Sequence, residues 1–305
     1  MTILSVCLNA ALDITYAVPE FVPGATNRTV SVANHAGGKG INVARVLTQL
    51  DDAVLLHCLL GGATGQQVRE DLEESRIPYD SVRTLAPTRR TVTIVDHVGA
   101  ATVVTEPGGP IAPREWELAL STLPSLVADA SVVVLSGSLP SGVPADAYAL
   151  IVGVARARGV PSIVDAEGPG LLAAARAGAA VLKPNIHELR AAIECDDPRD
   201  GAQKLRDLGA GAVVVSLGED GLLAVDSTGA WRARLPHPVV GNPTGAGDAL
   251  VAALARGIAR GQAWPELLRD GVALSAAAVL HPVAGGVDLE ARYRFEPEVI
   301  VEGIG

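Results

Sequence analysis

Six short apolar runs punctuate the chain: ILSVCL (3–8), AVLLHCLL (53–60), SVVVLS (131–136), PSIVDA (161–166), AVLKP (180–184) and AVVVSLG (212–218). Several are rich in β-branched residues, and they read as buried throughout rather than alternating. A strand with one wet face alternates apolar and polar positions, so runs like these must be covered on both faces. Helical patterns near 40–50, 64–75, 113–124, 144–157, 186–193 and 199–208 supply that cover and the crossovers that parallel pairing needs. The expected class is α/β, a mainly parallel sheet between helical layers.

Two segments depart from this rhythm. Residues 13–36 (DITYAV, then NRTVSVANHA) and 88–106 (TRRTVTIVDHVGAATVVTE) show alternating or polar β patterns with no helix between them. Such strands suit a small sheet with a less buried face, a lid or oligomerisation flap standing off the main layer. By pattern alone, two ordinary edge hairpins account for them equally well.

Composition narrows the partners. The formal net charge of -10 over 305 residues argues against a nucleic-acid binder, which needs a concentrated basic face. An anionic substrate would have to be met by local Arg and Lys. Cys7, Cys58 and Cys195 are odd in number and lack metal-ligand spacing, which suits a reducing cytoplasmic setting. The opening MTILSVCLNAALD has no basic n-region and no apolar run approaches about 18 residues, so neither a signal peptide nor a membrane span is expected.

The chemistry concentrates at VGNPTGAGDALVA (240–252). Ala249 to Arg256 reads as a buried helix, which makes Thr244 to Asp248 its entrance. Each glycine in a first turn costs about 0.8 to 1 kcal/mol against alanine, so stability alone does not account for Gly245 and Gly247. Glycines flanking Ala246 let backbone N–H groups converge where the helix terminus adds positive potential, an anion hole suited to a transferring phosphoryl group. Asp248 sits beside it, placed to act as general base toward a hydroxyl. Its bland role, helix-dipole compensation, does not call for the glycines. Walker P-loop spacing is absent, because GGKG (37–40) carries glycine after the lysine and Ala33 where the first glycine belongs. A dinucleotide fingerprint is absent too, since Leu250 takes its last position.

Other candidates lie where strands end, the edge at which open parallel sheets collect ligands: Ser136 to Ser138, Asp165, Lys183, Asn185, Ser216 and Gly218. GGKGINVARVL reads either as a tight turn into an amphipathic helix or as backbone approaching a polyol, with Asn42 offering both a donor and an acceptor.

In order along the chain, LNAALDITY, NRTV, AGGKGINVARVL, the GG at 61–62, the TR at 88–89, SGSLPSGV, LKPNIHEL, VSLGEDG and NPTGAGD resemble the PfkB (ribokinase-like) carbohydrate kinases over the whole chain. SGSLPSGV, LKPNIHEL and LNAALD are especially similar to the subgroup acting on phosphorylated hexoses. Ala10, where LNP is usual, and Glu167 in DAEGPG depart from that subgroup. The resemblance implies a three-layer α/β/α fold and one kinase domain over 1–305, with a β lid from about 13–36 and 88–106. It implies ATP as co-substrate, Mg2+, a ketohexose phosphate as acceptor and a homodimer formed through the lid. By the same resemblance Asp248 is the base and the amides of Gly245, Ala246 and Gly247 hold the γ-phosphoryl. Asp13, Gly38, Lys39 and Asn42 face the sugar, while Arg28, Arg89 and Ser138 grip its phosphate. Arg90 is the alternative to Arg89, since adjacent strand residues face opposite ways. Lys183, Ser216, Gly218 and Gly221 belong to the nucleotide, and Asn185 and Glu188 organise Mg2+ through water. A kinase of an unphosphorylated sugar or nucleoside, and a silent sugar-phosphate or nucleotide sensor, are the rival readings.

Overall fold

Residues 1–304 are described by a computed structural model. The chain begins β1 (Thr2–Cys7), β2 (Ala11–Ala17), β3 (Ser31–Gly37), α1 (Lys39–Gln49), β4 (Val54–Gly61), α2 (Gly62–Glu74), β5 (Tyr79–Thr84), β6 (Arg89–Val95) and β7 (Ala101–Thr105). It continues α3 (Pro113–Ala128), β8 (Ala130–Ser136), α4 (Ala147–Arg156), β9 (Ser162–Asp165), α5 (Gly168–Ala177), β10 (Val181–Leu182), α6 (Ile186–Ile193), α7 (Pro198–Asp207) and β11 (Ala212–Ser216). It ends β12 (Leu222–Val225), β13 (Ala230–Arg234), α8 (Ala246–Ala259), α9 (Trp264–Val279), α10 (Leu289–Phe295) and β14 (Ile300–Ile304).

The large sheet runs β14-β13-β12-β11-β10-β9-β8-β1-β4-β5. From β5 across to β11 every pairing is parallel, and β12 to β14 extend it antiparallel. Side-chain alternation then divides the core in two. Ile3 and Cys7 of β1, with Val132 and Val134 of β8, pack on the side of α1, α8 and α9. Leu4, Val6, Val133 and Leu135 pack on the side of α3, α4 and α5. Successive residues are therefore buried against different helices, the physical reason these strands read as continuously apolar. Truncating Leu135, fully buried, to alanine would cost about 2–5 kcal/mol.

A separate four-stranded sheet, β3-β2-β6-β7, is built from the two segments that broke the sequence rhythm. It joins the main layer at the carboxyl edge: β1 leads into β2, β3 into α1, and β5 into β6. The helices and strands anticipated from the apolar pattern are all present. Other elements gave no such signal. α5 lies in a Gly- and Pro-rich stretch where no helix is expected, yet Pro169 occupies its first turn and Gly178 closes it at φ 82°. The antiparallel strands β12 to β14 and the helices α9 and α10 are further additions, and they widen the sheet beyond the parallel unit.

Candidate active site

At the carboxyl edge, the ends of β9 and β10 and the N-termini of α1, α6 and α8 meet the small sheet around a cavity of about 940 Å3. Its chemistry is built in pieces. α8 starts at Ala246, so Ala246 to Asp248 form its first turn rather than a prelude to it. Its N-cap, Gly245, has φ 91°, a conformation open to glycine, and a Cβ there would come within 3.1 Å of Ala284 and Gly285. The Ala246 amide is turned back onto the Pro243 carbonyl at 3.2 Å. First-turn amides at Gly247 and Asp248 have no acceptor inside the helix and so remain for a ligand. A Cβ at Gly247 would meet nothing nearer than Lys183 Nζ, at 3.7 Å, an ordinary contact, which places that ammonium beside the first turn of α8.

Asp248 is 6% exposed, and Asn42 Nδ2 donates to its Oδ2 at 2.8 Å. Burial, reinforced by the negative charge of Asp165, lifts its carboxyl to about 7, against the Asn42 hydrogen bond and the pull of Lys39 and Lys183. A carboxylate tuned there is suited to accept a proton near neutrality. Asp165, 1% exposed at the end of β9, is paired on one side with Lys183 Nζ at 3.1 Å and on the other with Lys39 Nζ at 3.3 Å. Ser136 Oγ also donates to it, at 3.2 Å. Burial would raise the Asp165 carboxyl, but the two ammonium groups outweigh it and hold it below the usual range. Lys39 is affected in reverse: burial works against its charge, while Asp165, Glu188 and Asp248 raise it overall.

The small sheet contributes Asp13, Arg89 and Thr91 to the same cavity. Burial raises the Asp13 carboxyl, opposed by a hydrogen bond with Thr91 and the charge of Arg89. Arg89 Nε donates to the Asn9 carbonyl at 3.3 Å, and Asn9 Nδ2 donates to Ser138 Oγ at 3.0 Å. Arg89 and Ser138 thus share one corner through Asn9. At the other end Ser216, Gly218 and Gly221 line the wall with Leu222, Leu235, Val272 and Val279. One cavity therefore offers apolar space for a flat group, ammonium groups and free amides for an anion, a poised carboxylate, and a polar corner beyond it.

The profile of the pfkB family carbohydrate kinases matches residues 3–291. The chain belongs to the PfkB carbohydrate kinase family. A tagatose-6-phosphate kinase of Staphylococcus epidermidis is 32% identical over 300 residues, covering 94% of this chain and 95% of that protein. Among solved structures, phosphofructokinase-2 from Escherichia coli in complex with fructose-6-phosphate superposes with a TM-score of 0.88 at 29% identity, covering 97% of this chain and 98% of the other. A Thermotoga maritima protein described as a candidate 1-phosphofructokinase gives 0.90 at 25% identity, with 100% of both chains covered. This PfkB kinase is accordingly an ATP-dependent carbohydrate kinase of the ribokinase-like fold.

The kinase brings most of the sequence-designated residues to one cavity: Asp13, Gly38, Lys39, Asn42, Arg89, Lys183, Asn185, Glu188, Ser216, Gly218, Gly221 and Gly245 to Asp248 all line it. Two do not follow. Arg28 is exposed on the connection between β2 and β3 and is not among the lining residues. Ser138 is exposed and does not line the cavity; it is linked to the lining residue Arg89 through Asn9, which does not line it either. Arg90 turns outward, its backbone N–H donating to Glu106 Oε2 at 2.7 Å and its guanidinium 3.8 Å from Oε1. Asn185 and Glu188 form a capping box on α6: Asn185 Oδ1 accepts from the His187 and Glu188 amides, both at 2.9 Å, and Glu188 Oε2 accepts from the Asn185 amide at 2.8 Å. The sequence reading gave Asp165 only as a strand-end candidate and did not single out Asn9, Thr91 or His237. Asp165 was visible as a strand end, whereas the lysines that make it central come from other elements.

Proposed function

We propose that this kinase transfers the γ-phosphoryl group of ATP to a hydroxyl of a ketohexose phosphate such as tagatose 6-phosphate, fructose 1-phosphate or fructose 6-phosphate. The observation that carries the reading is Arg89, which lines the cavity that also holds Asp248, Asp13 and Asn42. A guanidinium suits an existing phosphate, and Asn9 and Ser138 beside it add polar groups. The relatives named for tagatose 6-phosphate and bound to fructose-6-phosphate favour the same substrate class.

In this mechanism Asp13 and Asn42 orient the sugar, and Asp248 accepts the proton of the attacking hydroxyl. The free amides of the α8 first turn and Lys183 face the negative charge of the phosphoryl group in flight, and Lys39 adds a second cation. The small sheet acts as a lid that excludes water, within one kinase domain spanning 1–305. Among the described residues no group of three or more His, Cys, Asp or Glu could cage a metal. Glu188 fits a water-mediated role, since it lines the cavity and, with Oε2 in the cap, its Oε1 lies beyond hydrogen-bond distance of Lys39, at 4.0 Å, and can accept from a metal-bound water. Asn185 fits less well: Oδ1 already accepts two amides, and its remaining group is a donor, as a metal-bound water also is. Mg2+, arriving with the nucleotide and keeping most of its waters, would neutralise phosphate charge.

The small sheet exposes Val32, Val103 and Val104, which suits pairing with a second copy as a homodimer. The three cysteines are free, in keeping with a cytoplasmic setting; among the described residues no helix is long and apolar enough to cross a membrane. A kinase of an unphosphorylated sugar or nucleoside is the second reading, and the position of Arg28 outside the cavity favours it. A coupled ADP-release screen over free and phosphorylated C5 and C6 sugars decides between them. Turnover confined to unphosphorylated acceptors would overturn the first reading.

A further inference from the structure

We propose that Arg45 and Asp71, neither of which lines the cavity, are a positioning pair for its sugar end. β3 is the outer strand of the small sheet, and Ala36, next to last in it, is 2% exposed and stands opposite Leu12 of β2. Both backbone groups of Ala36 are taken by side chains from the main layer. Its N–H donates to Asp71 Oδ2 of α2 at 3.0 Å, and its carbonyl accepts from Arg45 Nη2 of α1 at 3.3 Å. Arg45 and Asp71 are themselves ion-paired, each 17% exposed, and Arg45 Nη1 donates to Ser75 Oγ at 2.7 Å. Together they satisfy Ala36 as a neighbouring strand would, at the point where the small sheet becomes α1.

The next residues make this clamp matter for substrate. Asp13 lies over Gly37, so closely that a Cβ on Gly37 would fall 2.0 Å from Asp13 Oδ2. Gly38, at φ 105°, caps α1, which presents Lys39 and Asn42. A shift of Ala36 therefore moves the seat of Asp13 and the entrance of α1 together. The nucleotide wall, built from β11, β12, α8 and α9, contributes no group to the clamp; Arg45 does lie near Gly285, a Cβ on which would come within 3.2 Å of its Cδ, and Ala284 beside it backs Gly245, so the Asp71 variants probe the sugar end more cleanly. His35 Nδ1, 3.5 Å from Asp71 Oδ1, extends it by one residue on the lid side.

This assignment rests on the proposed sugar-phosphate reading for its kinetic consequence but not for its structural one. The test uses Asp71→Ala, Asp71→Asn and Arg45→Met in the full chain. Amide hydrogen exchange over residues 31–38 is followed without ligand, and KM is measured separately for tagatose 6-phosphate and ATP. Asp71→Ala and Arg45→Met are expected to speed exchange at Ala36 and to raise the sugar-phosphate KM about 10-fold or more, with the ATP KM within about twofold. Asp71→Asn keeps an oxygen for the Ala36 amide and restores most of both, the rescue that a loss of charge alone would not show. If Asp71→Ala does not fold, Arg45→Met and Asp71→Asn carry the comparison. Unchanged exchange at Ala36, or equal rises in the two KM values, overturns the pair's role. A wild-type enzyme without activity on any phosphorylated ketohexose refutes the substrate reading instead, and the exchange measurement then decides the clamp alone.

Discussion

Asn42 Nδ2 donates to Asp248 Oδ2 at 2.8 Å across 206 positions of sequence. The bond joins α1 to the first turn of α8, and it favours the charged form of a carboxylate that burial pushes the other way. Removing it in Asn42→Ala should raise the Asp248 pKa further. The acid limb of the kcat profile is then expected to move to higher pH, so that activity lost at pH 7 is partly regained at pH 8.5. A profile that falls equally at all pH values would show that Asn42 acts on sugar binding alone.

Asp248→Asn should lower turnover by about 100-fold or more, the lower range for a lost acid-base group. It should also alter stability with a definite sign. The unfolded carboxyl releases its proton near 3.8, while the folded one holds it to about 7. Between those values the native state binds more protons, so stability is full below the lower value, falls as pH rises, and reaches its full penalty above 7. Thermal melts are expected to show Asp248→Asn above wild type at pH 8, the gap narrowing toward pH 4. Near-normal turnover would remove Asp248 from the role of base.

Arg89 and Arg90 offer a comparison between neighbours on one strand. Arg89→Ala removes a charged donor from the cavity and should raise the sugar-phosphate KM by roughly 10-fold or more, with a much smaller effect on ATP. Arg90→Ala breaks only an exposed pair with Glu106 and should stay within about twofold. Steady-state kinetics with each substrate varied in turn checks both, and equal effects on ATP and sugar in Arg89→Ala would take that residue out of the phosphate grip.

Glu188 caps α6 and is proposed to organise Mg2+, and substitution can separate the two. Gln serves in a capping box as well as Glu does, so Glu188→Gln should leave the melting temperature nearly unchanged. Loss of the negative oxygen facing Lys39 should raise the Mg2+ concentration for half-maximal activity by about 10-fold or more, as for other outer ligands of metal sites. Glu188→Ala should lose both. An unchanged Mg2+ requirement in Glu188→Gln would leave Glu188 a structural cap only.

Much of the architecture was readable because burial on both faces writes itself into a strand as an unbroken apolar run, as in SVVVLS and AVVVS. The TGAGD glycines were readable for the converse reason: a residue that costs helix stability signals a backbone need. α5 was hidden by its glycines and proline, and β12 to β14 are short, with less regular patterns. Arg28 lies outside the cavity, since a side chain on an exposed connection is placed by that loop's path and not by its neighbours in sequence.

By itself the sequence determined local matters: the parallel α/β layering, the helix entrance at Thr244 to Asp248, and the two segments whose β pattern departs from that layering. Tertiary structure alone decided that Lys39 and Lys183 share Asp165, that Asn42 meets Asp248, and that Arg45 and Asp71 hold Ala36. Periodicity and capping act over a few residues, so they are printed in the local order of side chains. The charge balance of the site depends on groups from β9, β10, α1 and α8 meeting within a few ångströms in a space shielded from water, and only the folded chain brings them there.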